Sequence, residues 1–343
     1  MFQLIQQQLS QILTVVLFTL VLALILKPVA LKISLVDKPN ARKAHQNVTP
    51  LIGGMCIFLA CGISLFIFDG IRGQGLKSLA DAASLFFFLG VLDDQFDFKA
   101  SGKLLSQIAI SYMFIASTGL QVTNFGVPVG LVNAFDLDFL SLPFTIFAIV
   151  GLTNAFNMID GCDGLAASLA GLAILALLSF GSSHFEFLTQ NLLLMLVASI
   201  FVFLLFNLSN NPAFKVFLGD GGSLFLGFIV AVLLVKFAEG NETYSPSMVL
   251  WFVVVPVYDF CAVVARRLLL RRKIMSADRS HIHHYLLSFG LSHFQTTVLV
   301  LFTAIILLCL GVFLEANYPS LSLFAFVGLF IVYLSLRLLN RRN

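Results

Sequence analysis

The chain has 343 residues, 59% of them hydrophobic and only 11% charged, with a net charge of +3 and a mean hydropathy of +1.00. Soluble domains are about a quarter charged, so this composition argues against a soluble enzyme, and no nucleic-acid partner is expected. The apolar runs show no period-two alternation, which argues against a β-barrel. They are long enough to cross a bilayer as helices. The expected fold is therefore an all-α polytopic integral membrane protein, a single domain over 1–343.

In chain order, the apolar runs predict eleven membrane spans, near 12–31, 51–68, 79–92, 104–120, 140–156, 164–181, 191–207, 222–238, 247–265, 294–314 and 320–336. The first follows a stretch without positive charge or a small-residue cleavage site, so it is read as a retained span and not a signal peptide. The third is short and carries Asp81. The five cysteines form no CxxC pair and read as small apolar residues. No internal repeat is visible.

Positive charge sets the expected orientation. With the amino terminus outside and the carboxyl terminus in the cytoplasm, 17 of the 20 Lys and Arg residues fall on the inner side. The unusual polar stretches all fall on that side too, which places the expected active site on cytoplasmic loops.

Five inner segments carry chemistry. The first, around Asp37–Gly54, holds Arg42, Lys43 and His45, a basic cluster suited to phosphates or to anchoring at an anionic membrane surface. The second opens with Asp93, Asp94 and Asp97 at the mouth of a span, where adjacent acids repel unless a cation or proton intervenes. Such an array suits a hard divalent cation and a phosphate. In the third, NAFNMIDGCDG, the residues Asn154, Asn157, Asp160 and Asp163 recur at steps of three, as neighbours on a helix surface do. Helix capping is the simpler use for them. The fourth, Asn207–Ser223, places Asp220 between glycines just before a span, with Phe217 nearby to stack on a base or sit at the interface. A glycine-rich helix start favours anions, and Asp220 there points to a metal between it and a phosphate. The fifth carries a basic stretch from Arg266 to Lys273, then Arg279, His281, His283 and His284. With no Cys nearby, the histidines read as anion or substrate contacts rather than zinc ligands. Asp259, inside a span, is a site candidate or a partner for Arg266 or Arg267.

Together these segments resemble the polyprenyl-phosphate N-acetylhexosamine-1-phosphate transferase family. The shared marks are the DDxxD array at Asp93, NxxNxxDGxDGL at Asn154, GDGGS at Gly219 and HIHH at His281, in order along most of the chain. The opening LVDKPNARKAH and the ADRSHIHH form are most similar to the bacterial branch that makes undecaprenyl-diphospho-N-acetylglucosamine.

The resemblance implies transfer of N-acetylglucosamine-1-phosphate from UDP-N-acetylglucosamine to undecaprenyl phosphate, with release of UMP. This is the first membrane step of a cell-surface polysaccharide such as the O antigen or common antigen. Another UDP-N-acetylhexosamine is the alternative donor. It also implies magnesium, with manganese as a substitute, a bacterial inner (cytoplasmic) membrane location and a homodimer as one assembly. By motif position, Asp220 and Asp163 correspond to the metal ligands, and Asp93 and Asp94 to the groups that position or activate the lipid phosphate. Asp97 completes that array. Asp160 and Phe217 fall where the family holds uracil, and Arg279 with His281, His283 and His284 where it holds the sugar diphosphate. Arg42, Lys43, His45, Asn154, Asn157 and Asn207 are further substrate-binding candidates. The rival classes are an ion-coupled transporter, against which the one-sided acids count, and a structural membrane subunit.

Overall fold

The computed structural model describes residues 2–37, 48–68, 73–126, 136–181, 185–240, 244–271 and 280–339. Its helices are α1 (Phe2–Lys32), α2 (Gly53–Phe68), α3 (Gln74–Phe96), α4 (Ala100–Thr118), α5 (Ser141–Ile159), α6 (Leu165–Gly181), α7 (Phe187–Asn207), α8 (Gly219–Gly240), α9 (Met248–Phe252), α10 (Val254–Leu269), α11 (Ile282–Ser288), α12 (His293–Asn317) and α13 (Pro319–Leu339). Each expected span falls on helix, the ninth on α9 and α10 together. Among the described residues, seven helices are long and apolar enough to cross a membrane, and α2 and α6 are shorter apolar helices. The protein is an all-α membrane protein.

Three details depart from the expectation. The span at 247–265 is broken at Val253, whose φ of −127° and ψ of 27° are not helical. Pro256 lies three residues further on; it lacks an N–H, and its ring crowds the carbonyl four residues back, at Phe252. The fifth polar segment contains a short helix, α11. Two short strands, β1 (Val36–Asp37) and β2 (Thr49–Pro50), pair antiparallel after α1.

Helix α8 is the centre of the fold. Every residue from Gly221 to Val235 is buried, as expected for a helix that is apolar on all sides. It is packed by α2, α3, α5 and α6. Phe86 of α3 stacks on Phe228 at 4.4 Å between ring centroids.

Small residues bring backbones together at the start of α8. A Cβ on Gly54 would lie 2.1 Å from the Gly222 Cα, and one on Gly90 would lie 2.3 Å from the Asp220 carbonyl oxygen. Small residues at helix contacts permit this approach in membranes. The second contact matters for the site: Gly90 presses α3 against the first turn of α8, and Asp93 and Asp94 follow one turn later. The segment before α8 is fixed from the other side. Phe217 N–H donates to the Pro50 carbonyl at 2.9 Å, and Gly53 N–H donates to the Phe217 carbonyl at 2.8 Å. From α1, the Lys27 ammonium donates to the carbonyls of Pro212, Ala213 and Lys215 at 2.8, 2.6 and 3.2 Å.

Candidate active site

Asp220 is in the first turn of α8. A carboxylate there is favoured by the helix dipole, and both of its oxygens are engaged. Oδ1 accepts from Asn157 Nδ2 at 2.9 Å, and Oδ2 accepts from Lys103 Nζ at 2.8 Å. The same ammonium donates to Asp93 Oδ2 at 2.5 Å and to Asn157 Oδ1 at 3.2 Å. Lys103 therefore sits where oxygens from α3, α5 and α8 converge. Asn157 also donates to Ser223 Oγ at 2.9 Å, which fixes its amide in this orientation.

Asp94 plays a different part from Asp93. Its Oδ1 accepts from the Asp220 N–H at 3.0 Å and its Oδ2 from the Gly221 N–H at 3.2 Å. It caps α8 from outside the helix, satisfying two N–H groups that a helix start leaves without partners. Gly219, with φ of +75°, turns the chain into this contact; a Cβ there would come within 2.8 Å of Asp94 Oδ2. Asp93 is held at both oxygens as well, by Lys103 and by the Phe98 N–H at 2.9 Å. Asp97 is outside the group: it is exposed, in a left-handed conformation (φ 52°), and ends α3.

The steps-of-three ladder divides at Ile159, where α5 ends. Asn154 and Asn157 are helical, one turn apart. Asn154 Nδ2 donates to Gln107 Oε1 at 2.5 Å and to the Val150 carbonyl at 2.8 Å, so it is one turn removed from the acids. Asp160 and Asp163 are in the turn between α5 and α6. Burial, reinforced by the charges of Asp220, Asp94 and Asp163, holds the Asp160 carboxyl well above the ordinary carboxylate range. Asp163 Oδ2 pairs with Lys215 Nζ at 2.7 Å. That ammonium also lies 5.8 Å from the Phe217 ring centroid, so Asp163, Lys215 and Phe217 form a second arm of the site. Asp163 and Asp220 thus hold separate lysines. Asn207 is buried and donates to the Val216 carbonyl at 2.8 Å, ordering this arm from beneath.

The histidine segment docks on the same turn. His283 is buried against Gly161, where an added Cβ would come within 2.1 Å of its Nε2. Burial, then its histidine neighbours, lowers the His283 pKa to about 2, so the ring is neutral at physiological pH. The His281 and His283 rings stack with centroids 5.8 Å apart, and the His284 ring lies tilted against His283 at 4.2 Å. Asp259 pairs with His281, its Oδ2 lying 2.7 Å from the ring Nδ1. Arg42, Lys43, His45 and Arg279 lie outside the described residues.

Two lysines escaped the sequence reading. Lys103 opens a polar line at i, i+4 and i+8 with Gln107 and Ser111 on a mostly apolar helix, a signal that was there to be read. Lys215 had no such pattern; only the fold brings it to Asp163.

A family model described as glycosyl transferase family 4 matches residues 76–238. A protein of Bacillus subtilis (strain 168) named "Probable undecaprenyl-phosphate N-acetylglucosaminyl 1-phosphate transferase" is 33% identical over 306 residues, 89% of this chain and 84% of the relative. The Salmonella typhi undecaprenyl-phosphate alpha-N-acetylglucosaminyl 1-phosphate transferase is 34% identical over 332 residues, covering 90% and 84%. The Yersinia pestis protein of the same name is 32% identical over 315 residues, covering 88% and 83%. The chain belongs to this transferase family. Asp93, Asp94, Asn157, Asp163 and Asp220 of this family member all fall within the matched segment. The histidine helix and α13 lie beyond it.

The donor set suits a hard cation. Asp93, Asp220 and Asn157 present oxygen atoms around one positive centre, here the Lys103 ammonium. Among the described residues, no three His, Cys, Asp or Glu side chains form a ready-made cage. Magnesium does not need one, because it is commonly held by one or two carboxylates together with substrate phosphates.

Proposed function

We propose that the protein transfers N-acetylglucosamine-1-phosphate from UDP-N-acetylglucosamine to undecaprenyl phosphate, releasing UMP and leaving undecaprenyl-diphospho-N-acetylglucosamine in the membrane. The carrying observation is the convergence of Asp93, Asp220 and Asn157 on Lys103 at the N-terminus of α8, an arrangement suited to gathering cations and phosphates. The family relationship supplies the substrates, through the names its relatives bear. Other UDP-N-acetylhexosamines are the alternative donors.

The obstacle is that two anions must meet. An oxygen of the lipid phosphate attacks the β-phosphorus of the nucleotide sugar. The bond from that phosphorus to the bridging oxygen breaks, and the electron pair leaves with UMP. Little covalent work falls to the protein in phosphoryl transfer; positioning and charge neutralisation dominate. Lys103 and Lys215 bring two positive charges to the turn where the phosphates would meet. Phe217 offers a ring face to the uracil beside Lys215. Bound magnesium would be held by Asp220, Asn157 and Asp93, with Asp163 as the further carboxylate, and would supply Lewis-acid neutralisation of the diphosphate.

Direct displacement is favoured over an aspartyl-phosphate intermediate. Both oxygens of Asp93 and both of Asp94 already accept hydrogen bonds, which blunts either as a nucleophile. We place the site on the cytoplasmic side of a bacterial inner membrane, with eleven spans, the amino terminus outside and the carboxyl terminus inside, on the distribution of Lys and Arg. A homodimer is compatible with this arrangement.

The test uses purified protein with UDP-N-acetylglucosamine and undecaprenyl phosphate. UMP and a lipid of the mass of undecaprenyl-diphospho-N-acetylglucosamine should appear in equal amounts. Release of free sugar phosphate without the lipid product, or solute flux in proteoliposomes without UMP, would count against the proposal.

A further inference from the structure

Asp259, in the first half of α10, is 2% exposed, and His281 is 5% exposed. Asp259 Oδ2 lies 2.7 Å from His281 Nδ1, and Asp259 Oδ1 accepts the Ile282 backbone N–H at 2.7 Å. The Tyr333 hydroxyl of α13 reaches the same Oδ1 at 3.4 Å. One turn further along α13, Arg337 donates to the Ser280 carbonyl, and its guanidinium lies 5.2 Å from the Tyr285 ring centroid and 5.9 Å from that of Tyr333. The segment that begins the histidine motif is thus held on one side by a buried carboxylate and on the other by the last helix.

We infer that Asp259 is a positioning residue that fixes His281 with its proton on Nδ1 and leaves Nε2 as the ring nitrogen turned to substrate or water. An ionised carboxylate only accepts, so the nitrogen facing Asp259 must carry the hydrogen. The hydrogen bond at one imidazole nitrogen decides the state of the other. His281 Nε2 is then a proton acceptor, and when it gains a proton the adjacent carboxylate balances the imidazolium charge. Among the described residues, His283 and His284 on α11 and Tyr333 and Arg337 on α13 are titratable or charged groups beside this pair. His283, with its low pKa, stays neutral and adds no competing charge. This assignment rests on the proposed transferase reading, since it gives His281 a partner for a phosphate or hydroxyl at the site.

The discriminating substitution is Asp259→Asn. It keeps the shape and one acceptor oxygen. The Ile282 N–H still requires that oxygen, so the amide nitrogen falls opposite His281 and forces the ring to accept at Nδ1, with its hydrogen on Nε2. Nitrogen-15 spectra of His281 in the full-length protein should show the Nδ1–H tautomer in the parent and the Nε2–H tautomer in D259N. UMP release by D259N should fall by about 10²-fold or more in kcat, the range for a lost acid–base group. The KM for UDP-N-acetylglucosamine should change little. In an H281A background the same D259N change should have no further effect.

Two results overturn the inference: an unchanged His281 tautomer in D259N, or an equal D259N loss with and without His281. Failure of the parent to release UMP would instead remove the transferase reading, and the tautomer measurement would still stand or fall by itself.

Discussion

Replacing Lys103 with Met keeps the length of the side chain and removes a cation that Asp93 and Asp220 share. Two charge-assisted hydrogen bonds are lost, at 2.5 and 2.8 Å, and a third contact to Asn157 at 3.2 Å. Hydrogen bonds to charged groups contribute about 1.5–3 kcal/mol each, and removing one partner of a buried pair costs about 3–5 kcal/mol. The Asp93 side chain is 10% exposed and that of Asp220 37% exposed, so solvent screening puts the expected loss near the low end, about 3 kcal/mol. Spread over the unfolding entropy of a 343-residue chain, that corresponds to a fall in melting temperature of about 4 °C. The measurement is thermal unfolding in detergent, with and without magnesium. K103M should melt lower in EDTA and recover part of the loss in magnesium, because the same oxygens then gain a divalent cation. UMP release should fall by about 10²–10³-fold, as when one preorganised charge is removed from a developing anion. If K103M melts at the parental temperature and keeps parental turnover, the central role given to this convergence is wrong.

Other outcomes follow from the same geometry. Gly161→Ala drives a methyl into the buried His283 ring and should cost about 1–3 kcal/mol of stability through overpacking, with a matching loss of UMP release. Gly54→Ala meets the Gly222 backbone, which cannot move aside, and should reduce folded yield sharply. Gly62→Ala, with nothing within 4 Å of the new methyl, should be neutral or stabilising by about 0.5–1 kcal/mol, and unfolding of the pair side by side checks the packing of α2 on α8. Lys215→Met frees Asp163 and removes the cation beside Phe217; it should raise the KM for the UDP-sugar, measured by initial rates. His283 has a folded pKa of about 2 against an ordinary value of 6.5, so the unfolded chain takes up its proton first. Stability is lost as pH falls below about 6.5, by about 2 kcal/mol at pH 5. His283→Gln should lack this share of the acid sensitivity in melting curves taken at pH 7.5 and 5.0.

The fold class was readable because composition leaves few options: long apolar runs must be helices if they are to satisfy their backbone in lipid. The break at Val253 was harder, since the run around it stays apolar and only Pro256 marks it. Of the candidate site, Asp93, Asp220 and Asn157 were legible from spacing and from their place at span ends. Their division of labour was not. Asp93 and Asp94 are adjacent and chemically identical, yet one meets Lys103 and the other caps α8, because α3 arrives against α8 with Gly90 at the contact. Asp97, three residues further on, is itself the left-handed residue that ends the helix, and it is exposed. Asp259 was open to pairing with Arg266 or Arg267 on its own helix; its partner proved to be His281, 22 residues later, a contact no periodicity encodes.

Magnesium titration of UMP release in the parent, D220N and N157A tests the central claim most directly. The account predicts that EDTA abolishes parental turnover and magnesium restores it, while both variants need far more magnesium or fail to recover. Parental turnover in EDTA, or an unshifted magnesium dependence in D220N, would contradict it.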